Sequence, residues 1–248
     1  MVFENLLNPV FFPLLKIPTL FSIILLSFLI SLIITLVYKY TTDQNLMKQL
    51  KEEIKRLQKE MKELKSNPQK AMEVQKKAMQ TNMKYMSHSL KSTLFTFIPL
   101  IIIFSWMNSN LAYDPILPGQ DFTVTAVFEK GANGEITLNA PEGLEVDKAK
   151  KEVKDSEVKW ALNGKEGEYL LLFEFNNEKH EKELLITKNQ AYKPIAEKIK
   201  NSRLELIRID NNPKKLLNIF GWKVGWLWAY IIFSIIFSML LRKIIKVY

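Results

Sequence analysis

The 248-residue chain has no cysteine and two histidines. Without cysteine there is no disulfide framework, thiolate metal site or cysteine nucleophile, and either redox compartment remains compatible. His88 and His180 are isolated from acidic or nucleophilic partners in the sequence, so neither reads as a ligand or a catalyst. No nucleophile–base pair and no phosphate-binding glycine loop appears; the chain is read as a non-enzyme that needs no cofactor. The most informative absence is that of charge. No Asp, Glu, Lys or Arg occurs in the 22 residues between Lys16 and Lys39, the 22 between Lys91 and Asp114, or the 18 between Lys223 and Arg242. A hydrocarbon core of ~30 Å is crossed by roughly 20 mostly apolar helical residues, so each stretch is long enough to span it.

The basic residues predict orientation. From Lys39 to Lys91 there are 13 Lys/Arg against 6 Asp/Glu, whereas residues 108–220 carry 17 against 19. Basic residues near span ends stay in the cytoplasm, while long loops translocate largely regardless of charge. The expected protein is therefore multi-pass in the cell membrane, with its N-terminus outside and its C-terminus cytoplasmic. The net charge of +9 is concentrated on the cytoplasmic side and implies no DNA. The first span is too long for a signal-peptide core and lacks a basic segment before it, so it is read as an uncleaved anchor.

These features predict an α-helical membrane protein of three transmembrane helices, a cytoplasmic antiparallel coiled-coil hairpin and a small outer β-rich domain. The expected boundaries are an outer interfacial segment at 1–18, transmembrane helices at 19–40, 92–110 and 222–241, the basic hairpin at 41–91, the outer β-rich domain and linker at 111–221, and a cytoplasmic tail at 242–248. Within the hairpin, Met47, Leu50, Ile54, Leu57, Met61 and Leu64 alternate spacings of three and four, a heptad seam. Pro68 disfavours helix at Asn67 and ends the first arm around Ser66. Met72, Met79, Met83 and Met86 then share one face of a second arm. Methionine suits surfaces that must fit several apolar partners, so two readings stand: packing of arm on arm, or a face that touches a hydrophobic client or a ribosome. The basic charge fits anionic lipid headgroups, ribosomal RNA or a solvated helix face.

Each span also carries a stripe of small polar residues at helical spacing: Ser27, Ser31 and Thr35; Ser89, Thr93 and Thr96; Tyr230, Ser234 and Ser238. Such stripes serve helix packing or a shared hydrated groove. The apolar part of the second span, Leu94 to Met107, reaches only about 21 Å as helix, and Pro99 within it predicts a kink. Trp106, Trp222, Trp226 and Trp228 fall at expected outer span ends, as an aromatic belt. Five β-rich runs, at 121–129, 135–139, 157–162, 168–176 and 182–188, predict a small antiparallel sandwich or barrel. Residues 191–217 read as mixed helix and linker.

The run MKYMSHSLKSTLFTFIPLIIIFSWMNSN (83–110), with Pro99 and Trp106 seven apart, and LLNIFGWKVGW (216–226) entering the third span resemble the YidC/oxidase-assembly superfamily of membrane-protein insertases. The similarity is greatest to its archaeal YidC-like branch and to subunit 3 of the ER membrane protein complex. The resemblance implies an energy-independent insertase that thins the bilayer and presents a cytoplasm-facing polar groove to short polar segments of nascent membrane-protein clients. Ser27, Ser31, Thr35, Thr93, Thr96, Tyr230, Ser234 and Ser238 would line that groove, and the hairpin methionines would meet the client. Bacterial members carry a groove arginine; here the nearest cations are Lys39 and Lys91 at the cytoplasmic mouth. A membrane-anchored coiled-coil scaffold or tether without insertase activity is the competing reading, and a small transporter or channel subunit a third.

Overall fold

The computed structural model describes the backbone of residues 2–64 and 67–247, and their side chains except those of residues 2–6 and of Lys91. The chain forms two compact units. One is helical and comprises residues 20–104 and 227–248; the other is β-rich and comprises residues 1–19 and 105–226.

In the helical unit, α2 (Thr19–Thr41) is followed by α3 (Gln44–Glu63), α4 (Pro68–Leu111) and α5 (Trp226–Ile245). Among the described residues, three helical segments are long and apolar enough to cross a membrane: Thr19–Thr41, Ser92–Leu111 and Trp226–Ile245. The sequence punctuates these helices by recognisable chemistry. The Asp43 carboxylate accepts from the N–H groups of Asn45 (3.0 Å) and Leu46 (3.1 Å) and caps α3, satisfying donors that a helix start leaves free. Asn67 does the same for Lys70 at 3.2 Å, with Pro68 at the first helical position, where its missing N–H costs nothing. The α5 end closes with Lys246 at φ 54° and the Val247 N–H donating to the Arg242 carbonyl at 3.0 Å, a Schellman closure with lysine where glycine is usual.

The 44-residue α4 is one helix through Pro99. Burial on α3 falls on Met47, Leu50 and Leu57. On the first half of α4, Thr81 is buried and Ala71, Val74, Ala78 and Tyr85 are half-buried, again at spacings of three and four. Met47 clusters with Tyr38 and Val247, and Tyr85 and Ile245 pack against them. Small and β-branched residues therefore form the inner face of α4, and its methionines do not.

In the β-rich unit, α1 (Val2–Phe11) and a short 3-10 turn (Phe12–Lys16) precede α2. The Trp106 indole donates to the Asn8 side-chain oxygen at 2.8 Å, and its ring lies 5.0 Å from that of Phe11. The strands are β1 (Phe122–Phe128), β2 (Gly134–Asn139), β3 (Leu144–Val146), β4 (Lys150–Val153), β5 (Glu157–Gly164), β6 (Gly167–Phe175), β7 (Glu178–Ile186), β8 (Ala196–Lys198), β9 (Leu204–Ile209), β10 (Lys215–Ile219) and β11 (Trp222–Gly225). They form antiparallel sheets ordered β3-β5-β1-β9-β8 and β4-β2-β6-β7, plus the separate β10–β11 hairpin. Alternate residues of the two large sheets build one core, including Val124, Ile136, Trp160 and Phe173; the Trp160 and Phe173 rings meet edge-on at 5.6 Å. All five expected β-rich runs are strands.

Two expectations are corrected, and two strands lie where none was expected. Residues 191–217 hold β8, β9 and the start of β10 rather than mixed helix and linker. The charges of Leu204-Glu205-Leu206-Ile207-Arg208-Ile209 obscured a strand, β9, that buries Ile207 and Ile209 two apart, and Leu204 beyond a register shift, and that pairs with the central β1. The lysine-rich 140–156 segment holds β3 and β4, short edge strands of the kind charge protects from further pairing. The third apolar helix starts at Trp226 rather than at residue 222, because Trp222–Gly225 pairs with β10.

Candidate functional site

The helical unit contains a seam between two helices that run in the same direction. The Ser27 hydroxyl donates to the Tyr230 carbonyl at 3.4 Å, and the Ser31 hydroxyl donates to the Ser234 carbonyl at 3.3 Å. Contacts advance by four residues on both helices, so α2 and α5 are parallel. A hydroxyl reaching a neighbouring backbone requires close approach, which small residues four apart permit. Ser27, Ser31 and Thr35 are buried at 0, 4 and 2% exposure. Thr35 donates to the Ser31 carbonyl of its own helix at 2.7 Å. Opposite this seam, Phe21, Leu25 and Ile33 are exposed, as a lipid-facing side requires.

Beside the seam lies a concavity of about 450 Å³ whose lining includes Ser31, Tyr230, Ser234, Ser238 and Arg242. Four of the eight residues expected to line a groove are thus brought together. Ser27 and Thr35 lie in the packed seam and are not among its lining residues. Thr93 and Thr96 also lie outside it; their hydroxyls donate within α4 to the Ser89 carbonyl at 3.2 Å and the Thr93 carbonyl at 3.0 Å. Aliphatic side chains, including Ile34, Ile231 and Met239, complete the lining.

Arg242 is the site residue that sequence reasoning missed. Its guanidinium carbon lies 5.2 Å from the Tyr38 ring centroid, within cation–π range. The signal was present: Tyr230, Ser234 and Ser238 advance in steps of four, and the next step is Arg242. Of the two cations expected at the mouth, Lys39 donates to the Ile245 carbonyl at 3.2 Å, capping the negative end of α5. The Lys91 side chain lies outside those described.

The methionines of α4 face outward. Met72, Met79, Met83 and Met86 are 59–71% exposed, and Leu90, Leu94, Ile98 and Ile101 continue as exposed apolar residues. Because α4 is unbroken, the methionine face and the exposed face of the second span form one apolar stripe. No acid or histidine lines the concavity, and among the described residues no group of His, Cys, Asp or Glu could hold a metal ion.

The three apolar helices found among the described residues are consistent with a multi-pass membrane protein. Residues 4–130 match the family described as integral membrane protein EMC3/TMCO1-like, and the chain belongs to that family. The family is part of the superfamily related to the YidC and oxidase-assembly insertases; it is associated with membrane-protein insertion in the lipid bilayer and is generally non-enzymatic. The match covers α1 through α4 and β1, so the resemblance of the third span rests on the residues quoted for it. No curated protein and no solved structure matches the chain.

Proposed function

We propose that the protein is a membrane-protein insertase that passes short polar segments of nascent clients into or across the bilayer. The observation that carries the reading is the α5 stripe Tyr230, Ser234, Ser238 and Arg242 lining an open concavity within helices otherwise apolar enough to span lipid. Lipid cannot satisfy the backbone of a transiting segment, and each unsatisfied group costs several kcal/mol. Hydroxyls spaced along the path lower that cost, and a cation at the mouth attracts polar or anionic client ends. The short apolar stretch of the second span, about 21 Å as helix, thins the bilayer locally and shortens the path further.

In this reading α3 and the first half of α4 form a cytoplasmic coiled-coil hairpin, with the N-terminus and the β-rich unit outside and the C-terminus inside. The exposed methionines receive the apolar client segment, and the continuous stripe of α4 guides it toward the span. The client and lipid are the essential partners; ribosome contact falls to the basic face of the hairpin. Packing claims part of the hydroxyl pattern. Ser27, and in part Ser31, spend their donors on α5 carbonyls, so the working wall is on α5.

The test places photoreactive residues at positions 234 and 238, with position 25 on the exposed face of α2 as control, and stalls a client span during synthesis. Adducts at 234 and 238 in excess of those at 25 are expected, strongest for a client with a polar flank. Equal adducts at all three would mean diffusion in lipid, not a groove. Single cysteines in the hairpin should react only after permeabilisation; reaction from outside would invert the topology and remove the reading.

A further inference from the structure

Two tight hairpins of the β-rich unit share one backbone geometry and differ at the tip. Between β6 and β7, Phe175 pairs with Glu178, leaving Asn176-Asn177 as the turn, with φ 49° and 65°. Between β10 and β11, Ile219 pairs with Trp222, leaving Phe220-Gly221, with φ 49° and 90°. Positive φ at both central positions is the type I′ turn, which favours Asn, Asp and Gly. Asn176 follows that preference. Phe220 violates it, since a bulky side chain at positive φ is a conformational outlier. The Phe220 side chain is fully exposed, and its neighbours Ile219 and Trp222 are 36 and 52% exposed. The turn is held shut by the Gly221 N–H donating to the Asn218 side-chain oxygen at 3.0 Å. One hairpin therefore presents asparagines to its surroundings and the other presents three large apolar side chains.

The roots of this second hairpin lie at the ends of membrane-crossing helices. Lys214, just before β10, donates from Nζ to the Thr19 hydroxyl at 3.1 Å, and Thr19 begins α2. Gly225 ends β11 and is followed directly by Trp226, the first residue of α5. A four-residue strand reaches only about 13 Å, so Trp222 lies within roughly that distance of Trp226, where α5 begins. Lys215 and Lys223 on the two strands are exposed and suit headgroup phosphates, and tryptophan is enriched at this depth.

We propose that the β10–β11 hairpin is a membrane-contact element whose tip, Ile219, Phe220 and Trp222, enters the headgroup–acyl boundary. The strained turn presents a phenylalanine to lipid, and burial there offsets the backbone cost. The inference rests on the spans alone and holds whether or not the protein inserts clients.

The experiment uses the full chain in phosphatidylcholine–phosphatidylglycerol nanodiscs, with a nitroxide at position 219 or, as control, at position 177 of the β6–β7 turn. At 219, collisions with oxygen should exceed those with a water-soluble nickel chelate, and the order should reverse at 177. A label at 219 as open to nickel as the control would place the tip in water and overturn the proposal. Shielding from both reagents would indicate a protein partner and also overturn it. Phe220→Asn supplies the residue the turn prefers, so it should leave unfolding of the β-rich unit unchanged or raise its midpoint, while nickel access at 219 increases severalfold. Unaltered depth in this variant would refute Phe220 as the anchor.

Discussion

Replacing Ser234 and Ser238 by alanine separates a working groove wall from a packed seam. Both residues line the open concavity, with the Ser234 hydroxyl oxygen itself buried. If each hydroxyl contributes one hydrogen bond to a transiting segment, its loss raises the barrier by about 0.5–1.5 kcal/mol. At 1.36 kcal/mol per tenfold, that slows insertion roughly two- to thirteen-fold for each change, and the pair by about 5- to 150-fold if the effects add. Ser27→Ala removes a comparable hydroxyl, but one that is fully buried and bonded to the Tyr230 carbonyl. Interhelical bonds of this kind average about 0.6 kcal/mol in membrane proteins, so this change should lower resistance to unfolding and leave the insertion rate nearly intact. The assay is insertion of a client with a short polar tail into proteoliposomes, scored by protease protection, with detergent-induced unfolding measured on the same variants. Equal slowing by Ser27→Ala at matched stability, or no slowing by the Ser234/Ser238 pair, would refute the division of the stripe.

Met79→Gln with Met83→Gln should reduce crosslinking of a hydrophobic nascent segment to the hairpin. Both side chains are more than 60% exposed, so helix content by circular dichroism should hold and unfolding should shift by less than about 0.5 kcal/mol; unchanged crosslinking would remove the client-binding role. Trp160→Ala should destabilise the β-rich unit by about 3–5 kcal/mol, since the ring is wholly buried against Phe173; hydrogen exchange in β1, β5 and β9 would report it, and undisturbed protection would deny that ring its place at the core. Lys182 is buried on the inner side of β7 and donates to the Pro194 carbonyl at 2.6 Å. Burial lowers its pKa from the ordinary 10.5, with Glu197 opposing. The charged form is thus penalised in the folded state, so stability relative to Lys182→Met should rise as pH climbs through the folded pKa toward 10.5; a difference independent of pH would contradict this.

The spans were legible because 18 or more consecutive residues without charge stand out in a chain whose remainder is rich in lysine and glutamate. The strands were legible wherever alternation was clean, as in Val158, Trp160 and Leu162 of β5, all buried. Legibility failed where the solvent-facing half of a pattern carried charge, as in β4 and β9, because tertiary pairing rather than local propensity sets those strands. It failed again at Trp222–Gly225, where an aromatic, valine-bearing segment suits both a span and a hairpin. The partner strand β10 decides between them, and no local pattern contains that information.

The hydroxyl stripes show a different limit. Periodicity places residues on one face of a helix, and it is silent on whether that face meets another helix or open space. Ser27 and Ser234 looked alike in sequence; one donates into a helix seam and the other lines a concavity. The methionines met the same ambiguity from the other side. Met47 of α3 and Met79 of α4 both fit an apolar seam, yet the first is fully buried and the second is 61% exposed. The difference follows from what else is available on each helix. On α4 the buried and half-buried positions of the first half are Ala71, Val74, Ala78 and Thr81, small or β-branched side chains, followed by Tyr85. A long, flexible apolar side chain left outside such a seam has no packing duty to explain it. The exposed stripe from Met72 to Ile101 is continuous because α4 crosses Pro99 unbroken, and the proposed client contact is therefore placed on it rather than on the heptad pattern of α3.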